Sequence, residues 1–216
     1  MFGLGALVLL LLSGCGSDGG GSKIANASDP LIRPEAVARG SEVQLAPDLE
    51  TMVASSNVVL VGRIEAVRQG RTVGDPGSQL RFREVDVRPL EVLHGDVPTR
   101  STLLVEQEGW WLDGESEVSF ANEGQGWLQV GTTTLLFLVD KGGEEAGHYR
   151  AISSQGAYLL AGTDVRPVPS AAPSEDPLVA TLADVDLDQV EADISDASHA
   201  AANGSATPVT TPPIAS

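Results

Sequence analysis

Apolar residues fall along this chain in several distinct patterns, and each predicts a different element. Residues 3–12 are almost wholly apolar. Such a run fits the hydrophobic centre of a targeting segment and is too short to cross a bilayer as a helix. Residues 16–28 are rich in Gly and Ser and carry no apolar period, which predicts a flexible linker continuing to about residue 46. Leu49, Met52 and Val53 then recur at helical spacing behind the capping candidate Asp48, so a two-turn helix is expected to about Ser55.

From residue 58 the period changes to that of strands. Residues 58–67 (VVLVGRIEAV) open as a continuous apolar run and then alternate, and Gly62 marks a bend or bulge. Three Gly and one Pro within residues 69–78 predict the turn that follows. Across residues 80–93, Leu80 and Phe82 share one parity, Val85 and Val87 the other, and Leu90 and Val92 return to the first. A flat strand cannot bury all six, whereas a long, bulged strand bent around a small barrel can. The turn-forming HGDVP of residues 94–98 ends it. A third strand begins at residues 103–105 and runs toward Trp111, TTLLFLV at residues 133–139 reads as a buried fourth, and residues 148–152 and 157–160 form a last hairpin through 153–156.

Five or six short strands with one long loop and little helix predict a mainly β fold over residues 47–162, a small antiparallel barrel with one or two short flanking helices. Residues 163–183 are rich in Pro, Ala and Ser and read as a linker. Residues 184–197 predict a short acidic helix, capped by Asp186, whose Leu187, Val190 and Ile194 share one face and dock on the barrel. Residues 198–216 are expected to be a disordered tail.

Charge narrows the partners. The chain has 13 Lys and Arg against 30 Asp and Glu, a net charge of −17, which falls as −1 over residues 16–46, −8 over 47–162 and −8 over 163–216. This field repels phosphate backbones and anionic headgroups, so no nucleic-acid partner is expected, and contact with a membrane surface would need another source of affinity.

That source is suggested by Leu12-Ser13-Gly14-Cys15. Two small residues let the backbone lie close in a protease cleft, and Cys15 is the only cysteine, which excludes an internal disulfide. The motif resembles the lipobox of bacterial lipoproteins, in which signal peptidase II cuts before a cysteine that carries diacylglycerol. The resemblance implies a signal peptide at residues 1–14, recognition through Leu12, Ser13 and Gly14, acylation (palmitate among the chains) at Cys15, and a lipid bilayer as partner. It also implies a place on the extracytoplasmic face of the cell membrane, with residues 15–46 as the tether. Two acyl chains at about 0.8 kcal/mol per buried methylene give durable anchoring.

A second resemblance covers residues 50–162. The runs SNVVLVGRIEAV, VDVRPLEVLHGDVP, GTTTLLFLV and QGAYLL resemble the framework of the netrin-like or tissue-inhibitor-of-metalloproteinase type of OB-fold, which implies that the barrel is OB-like. Animal members chelate a protease zinc through an N-terminal cysteine fixed by disulfides. Here the sole cysteine lies on the linker, so the resemblance carries the fold and not that activity.

Chemistry-bearing motifs are scarce. There is no H-E-x-x-H, C-x-x-C, G-x-S-x-G or Walker loop, and the only histidines are His94, His148 and His199. Asp184, Asp186 and Asp188 resemble the start of an EF-hand loop but lack its sixth-position Gly and twelfth-position Glu. No catalytic residue, metal or cofactor is expected. Residues 106–129 hold Glu106, Glu108, Asp113, Glu115, Glu117 and Glu123 together with all three tryptophans, Trp110, Trp111 and Trp127. Adjacent tryptophans in a strand point to opposite faces, so one is expected in the core and one near the surface. The tryptophans with Asp113, Glu115 and Glu117 are the candidate ligand contacts, suited to a protein hot spot or a sugar-stacking platform. Structural cover for the barrel end is the competing role. The sequence thus points to a non-enzymatic, membrane-anchored binding or adaptor module for an envelope protein or wall glycan. A netrin-type protease- or metal-directed inhibitor, or an enzyme with an unrecognised site, are the alternatives.

Overall fold

The computed structural model describes residues 33–38, 45–97, 101–170, 172 and 174–209. The expected signal peptide of residues 1–14, with Leu12, Ser13 and Gly14, and the acylation candidate Cys15 lie outside the described residues. The fold is mainly β. Its strands are β1 (Ala36–Ala38), β2 (Val58–Asp75), β3 (Ser78–His94), β4 (Leu103–Asp113), β5 (Ser116–Asn122), β6 (Thr133–Asp140), β7 (His148–Ala151), β8 (Ala157–Ala161), β9 (Asp164–Pro167) and β10 (Val185–Asp186). Three helices accompany them: α1 (Leu49–Ser55), α2 (Pro177–Leu182) and α3 (Leu187–Ala202). Pairing runs β1-β5-β4-β3-β2-β6-β8-β9-β10, and β7 lies off that path, bonded to both β4 and β6.

The continuous apolar runs are explained by burial on two sides. Val58 and Leu60 of β2, with Leu136 and Leu138 of β6, join Val85, Val87, Leu103 and Val105 in one cluster. Val59 and Val61, with Leu135 and Phe137, join a second cluster that includes Met52, Val53, Leu178, Leu182, Val190 and Ile194 from the three helices. Each strand of this pair therefore alternates between two cores, and no position is left for a polar residue. A fully buried Leu or Phe contributes roughly 1.5–3 kcal/mol, so the β2–β6 pair anchors both clusters.

Helix α1 forms as its sequence predicts: the Asp48 side chain accepts a hydrogen bond from the Thr51 amide, and Met52 and Val53 are buried. α3 is capped by Asp186, which accepts from the Asp188 amide, and it buries Val190, Ile194 and Ala197. It runs to Ala202, past the expected end of the helix at residue 197, because Ala197 extends the apolar stripe against the core. The start of the expected disordered tail is thus helical, and the Val209 amide bonds to Ser55 Oγ at 2.8 Å.

Other expectations change in the same direction. Residues 163–183, read as a linker, contain β9 and α2; Asp176 caps α2, and Leu178, Val179 and Leu182 sink into the core. In the expected tether, residues 36–38 pair parallel with β5, and buried Gln155 both donates to the Ala46 carbonyl and accepts from its amide. Three apolar positions on one short helix or one bifunctional Gln suffice to hold such segments, and composition does not register either. Among the described residues the sheet has ten strands, more than the five or six expected, and no helix is long and apolar enough to cross a membrane.

Two strand assignments also change. β2 and β3 remain paired out to Asp75 and Ser78, so the turn is confined to Pro76 and Gly77. Irregularities at Gly62 and around Gly70 absorb the twist of this long arm, and Arg68 ties it across to Glu84 and Asp86. β7 and β8 do not form a hairpin. Both line up along β6, β7 on Leu138–Asp140 and β8 on Thr134–Leu136, and the chain then diverges toward β4 on one side and β9 on the other.

A Cβ at Gly62 would lie 2.5 Å from Val87 Cγ1 and 2.8 Å from Leu60 Cδ1. Gly62→Ala is expected to destabilise the protein by about 1–3 kcal/mol through overpacking, read as a lowered midpoint in denaturant with an unchanged slope. A midpoint equal to wild type would contradict the tight contact of β2 on β3.

Candidate functional site

Trp110 and Trp111 lie on a hairpin, as the competing role of structural cover requires, and Trp127 lies in the connection from β5 to β6. β4 and β5 pair from Trp110↔Ser119 to Asp113↔Ser116, and Gly114, at φ 59°, takes the left-handed position of the two-residue turn. What each tryptophan does is decided by Gly109. Arg81 pairs with Trp110 and Phe82 with Glu108, so Gly109 is an extra residue on β4. Before it, Val105 and Gln107 point inward; the extra residue resets the parity, and Trp110 turns inward while Trp111 turns out. Only glycine fits there, since a Cβ would stand 2.7 Å from Arg83 Cγ and 2.8 Å from the Arg81 carbonyl oxygen.

On the inner side the aromatic rings enclose a buried polar knot. Trp110 meets Trp127 edge-on with centroids 5.5 Å apart, and Trp127 Nε1 donates to the Phe120 carbonyl at 3.2 Å. The Arg83 guanidinium lies 4.3 Å from the Trp127 ring centroid and donates to Gln107 Oε1 at 2.7 Å and to the Leu128 carbonyl at 2.9 Å. Gln107 in turn donates to the Gly126 carbonyl and accepts from the Leu128 amide. No carboxylate pairs with Arg83 among the described residues, and burial pushes its pKa down to about 9. The sequence carried a signal for this pair: Arg83 shares the inward parity of Val85 and Val87, and Gln107 that of Leu103 and Val105. Trp127, a candidate ligand contact in the sequence, is buried against Arg83 and Trp110.

On the outer side the register aligns Val73, Leu80, Trp111 and Val118 directly across four strands, and Phe120 lies diagonally at 6.1 Å from Trp111. Directly opposed residues share a face, so these side chains form one apolar stripe. Trp111 is 41% exposed and Val73 37%. Asp113, Glu115 and Glu117 surround the hairpin turn and are exposed; Glu117 bonds to Arg81 at 2.9 Å. No group of three His, Cys, Asp or Glu among the described residues is placed to hold a metal ion.

Glu106 and Glu108 bond within the fold, and the Glu123 side chain is exposed. Glu106 accepts both Nε and Nη2 of Arg71 at 2.8 and 2.9 Å, and Lys141 Nζ at 2.6 Å; Lys141 also reaches Glu145. Burial alone would raise the Glu106 pKa, but the bonds to Arg71 and Lys141 outweigh it and hold the carboxyl below its ordinary range. Glu108 accepts from Asn122. His94 Nδ1 and Ser198 Oγ, 3.0 Å apart, fasten α3 to the end of β3, with burial lowering the imidazole pKa. His148 opens β7, and His199 sits in the last turn of α3, not in a disordered tail. Comparison of the chain with family models, with curated proteins and with solved structures finds no match in any of the three.

Gly109→Ala is expected to destabilise the protein by about 1–3 kcal/mol and to shift Trp emission, because the added Cβ would push apart the bulge that seats Trp110 on Trp127. Unchanged stability and emission would contradict the parity reset. For Glu106, a folded pKa below the unfolded 4.5 gives stability that is present above pH 4.5 and lost as pH falls through the folded value. Glu106→Gln should therefore lower the melting temperature at pH 7 and flatten its decline below pH 4.5. A parallel decline in both proteins would contradict the ion-pair assignment.

Proposed function

We propose that this chain is a lipoprotein, held on the extracytoplasmic face of the cell membrane by acylated Cys15 after cleavage behind Leu12-Ser13-Gly14, and that it acts as a non-enzymatic binding or adaptor module for an envelope protein or wall component. The observation that carries the binding role is the apolar stripe of Val73, Leu80, Trp111 and Val118 across four strands. Trp111 contributes nothing to the interior clusters, so its exposure is unexplained by folding, and a rigid exposed Trp among apolar neighbours is the residue type that dominates binding energy at interfaces. Asp113, which shares the outward parity of Trp111, sets an exposed carboxylate beside it, whereas Glu117 lies on the opposite face with Arg81. The lipobox and the Gly/Ser-rich residues that follow it support the anchored location.

The finer architecture belongs to the same proposal. β2, β3, β4, β7 and β6 each bond to the next, β6 returns to β2, and within this set only β4–β7 is parallel. That circuit supports an OB-like barrel with β5 and β1 extending one edge and β8, β9 and β10 the other.

Two substitutions test the parts separately. Cys15→Ala should move the protein from the membrane pellet to the soluble fraction, and a mutant that still pellets would sink the anchor. Trp111→Ala should abolish a partner recovered by cross-linking on intact cells and mass spectrometry, while leaving the unfolding free energy within about 0.5 kcal/mol of wild type, as a surface change does. A partner retained in Trp111→Ala, or a collapse of stability, would refute the binding face.

A further inference from the structure

On the opposite core, the start of α1, α2 and the middle of α3 leave a groove of about 620 Å³ between them, within the 300–1,000 Å³ typical of binding clefts. Its apolar lining is Leu49, Leu178, Leu182 and Ala197 with Pro47 and Pro177. Its walls carry Asp48, Glu50, Asp193 and Asp196 and contain no basic residue. Asp48 is engaged in capping α1 and Asp193 accepts from Gln189, yet none of the four joins an ion pair among the described residues. The sheet, by contrast, pairs its carboxylates with Arg68, Arg71, Arg81, Arg88, Lys141 and Arg166. From residue 167 to the end the sequence has eight Asp and Glu and no Lys or Arg, so α2 and α3 supply no cation of their own.

We infer that this groove docks a short cationic segment of a partner protein, one that seats an apolar side chain on Leu178 and Leu182 and sets Lys or Arg against Asp193, Asp196 and Glu50. Charge complementarity identifies the occupant. A hydrated metal ion gains nothing from the apolar lining, and the carboxylates belong to separate elements around it, with no convergent cluster among the described residues. An uncharged apolar peptide would leave the acidic walls desolvated without compensation. The inference is independent of the Trp111 face, which lies on the sheet.

The test titrates the full chain with a fluorescent synthetic peptide of Leu and Lys and reads anisotropy. Wild type should bind with an affinity that falls as salt rises. Asp193→Asn with Asp196→Asn should weaken binding about tenfold, and Glu50→Gln should act in the same direction to a smaller extent. Removing equal charge elsewhere, Asp75→Asn with Glu144→Gln, both exposed and outside the groove lining, should change it less than about twofold. Equal losses from the two double variants would overturn the proposal, since general attraction to an acidic chain would then suffice. Equal binding of a Lys and Ser peptide, which has no apolar anchor, would overturn it as well. Far-UV circular dichroism confirms that each variant folds.

Discussion

The structure depends on the burial of the β2–β6 pair on both of its faces. Val58 to Val61 and Leu135 to Leu138 have no side exposed to water, so the sheet must curl toward β3 and β4 on one face and must be roofed by helices on the other. This requirement gives the small helices their role. α1 is seven residues long and α2 six, too short to persist alone, and each is held by an Asp cap and by apolar side chains that complete the second core. α3 closes that roof and fastens its own end through His94 and Ser198.

Where this double burial ends, the protein changes character. Beyond Val67 the β2–β3 arm carries ion pairs in place of core contacts, with Arg68 and Arg71 bridging strands on its exposed side. The Glu106–Arg71–Lys141 cluster fixes the arm to β4 and to the β6–β7 connection, and the Arg83–Gln107–Trp127 knot stiffens the base of the β4–β5 hairpin. The surface that presents Trp111 is therefore built on rigid strands, which would limit the conformational entropy lost in the proposed binding.

How much of this the sequence discloses depends on whether the signal is local. Asp48 with Met52 and Val53, the doubly apolar VVLV and LLFLV runs, and the Leu187, Val190, Ile194 stripe all act over a few residues, and the elements they predict are present. The Gly109 bulge is illegible because a single glycine among polar residues signals a bulge only once its partner strand is known. Without the bulge, simple alternation from Val105 and Gln107 would place Trp111 inside and Trp110 outside, the reverse of the arrangement found. The fork of β7 and β8 along β6 is a matter of pairing partners, which alternation cannot reveal. β9, α2 and the Ala46–Gln155 clamp lie in segments whose composition resembles a linker because a few contacts suffice to order them.

Residue-resolved amide hydrogen exchange under native conditions tests this account most directly. The amides of residues 58–61 and 135–138 should be the slowest in the protein and should exchange together, in the global unfolding event, with the arm beyond Gly70 and the β4–β5 turn exchanging faster. Protection at Val59 and Phe137 weaker than that in the distal arm would contradict the claim that the doubly buried pair holds the two cores together.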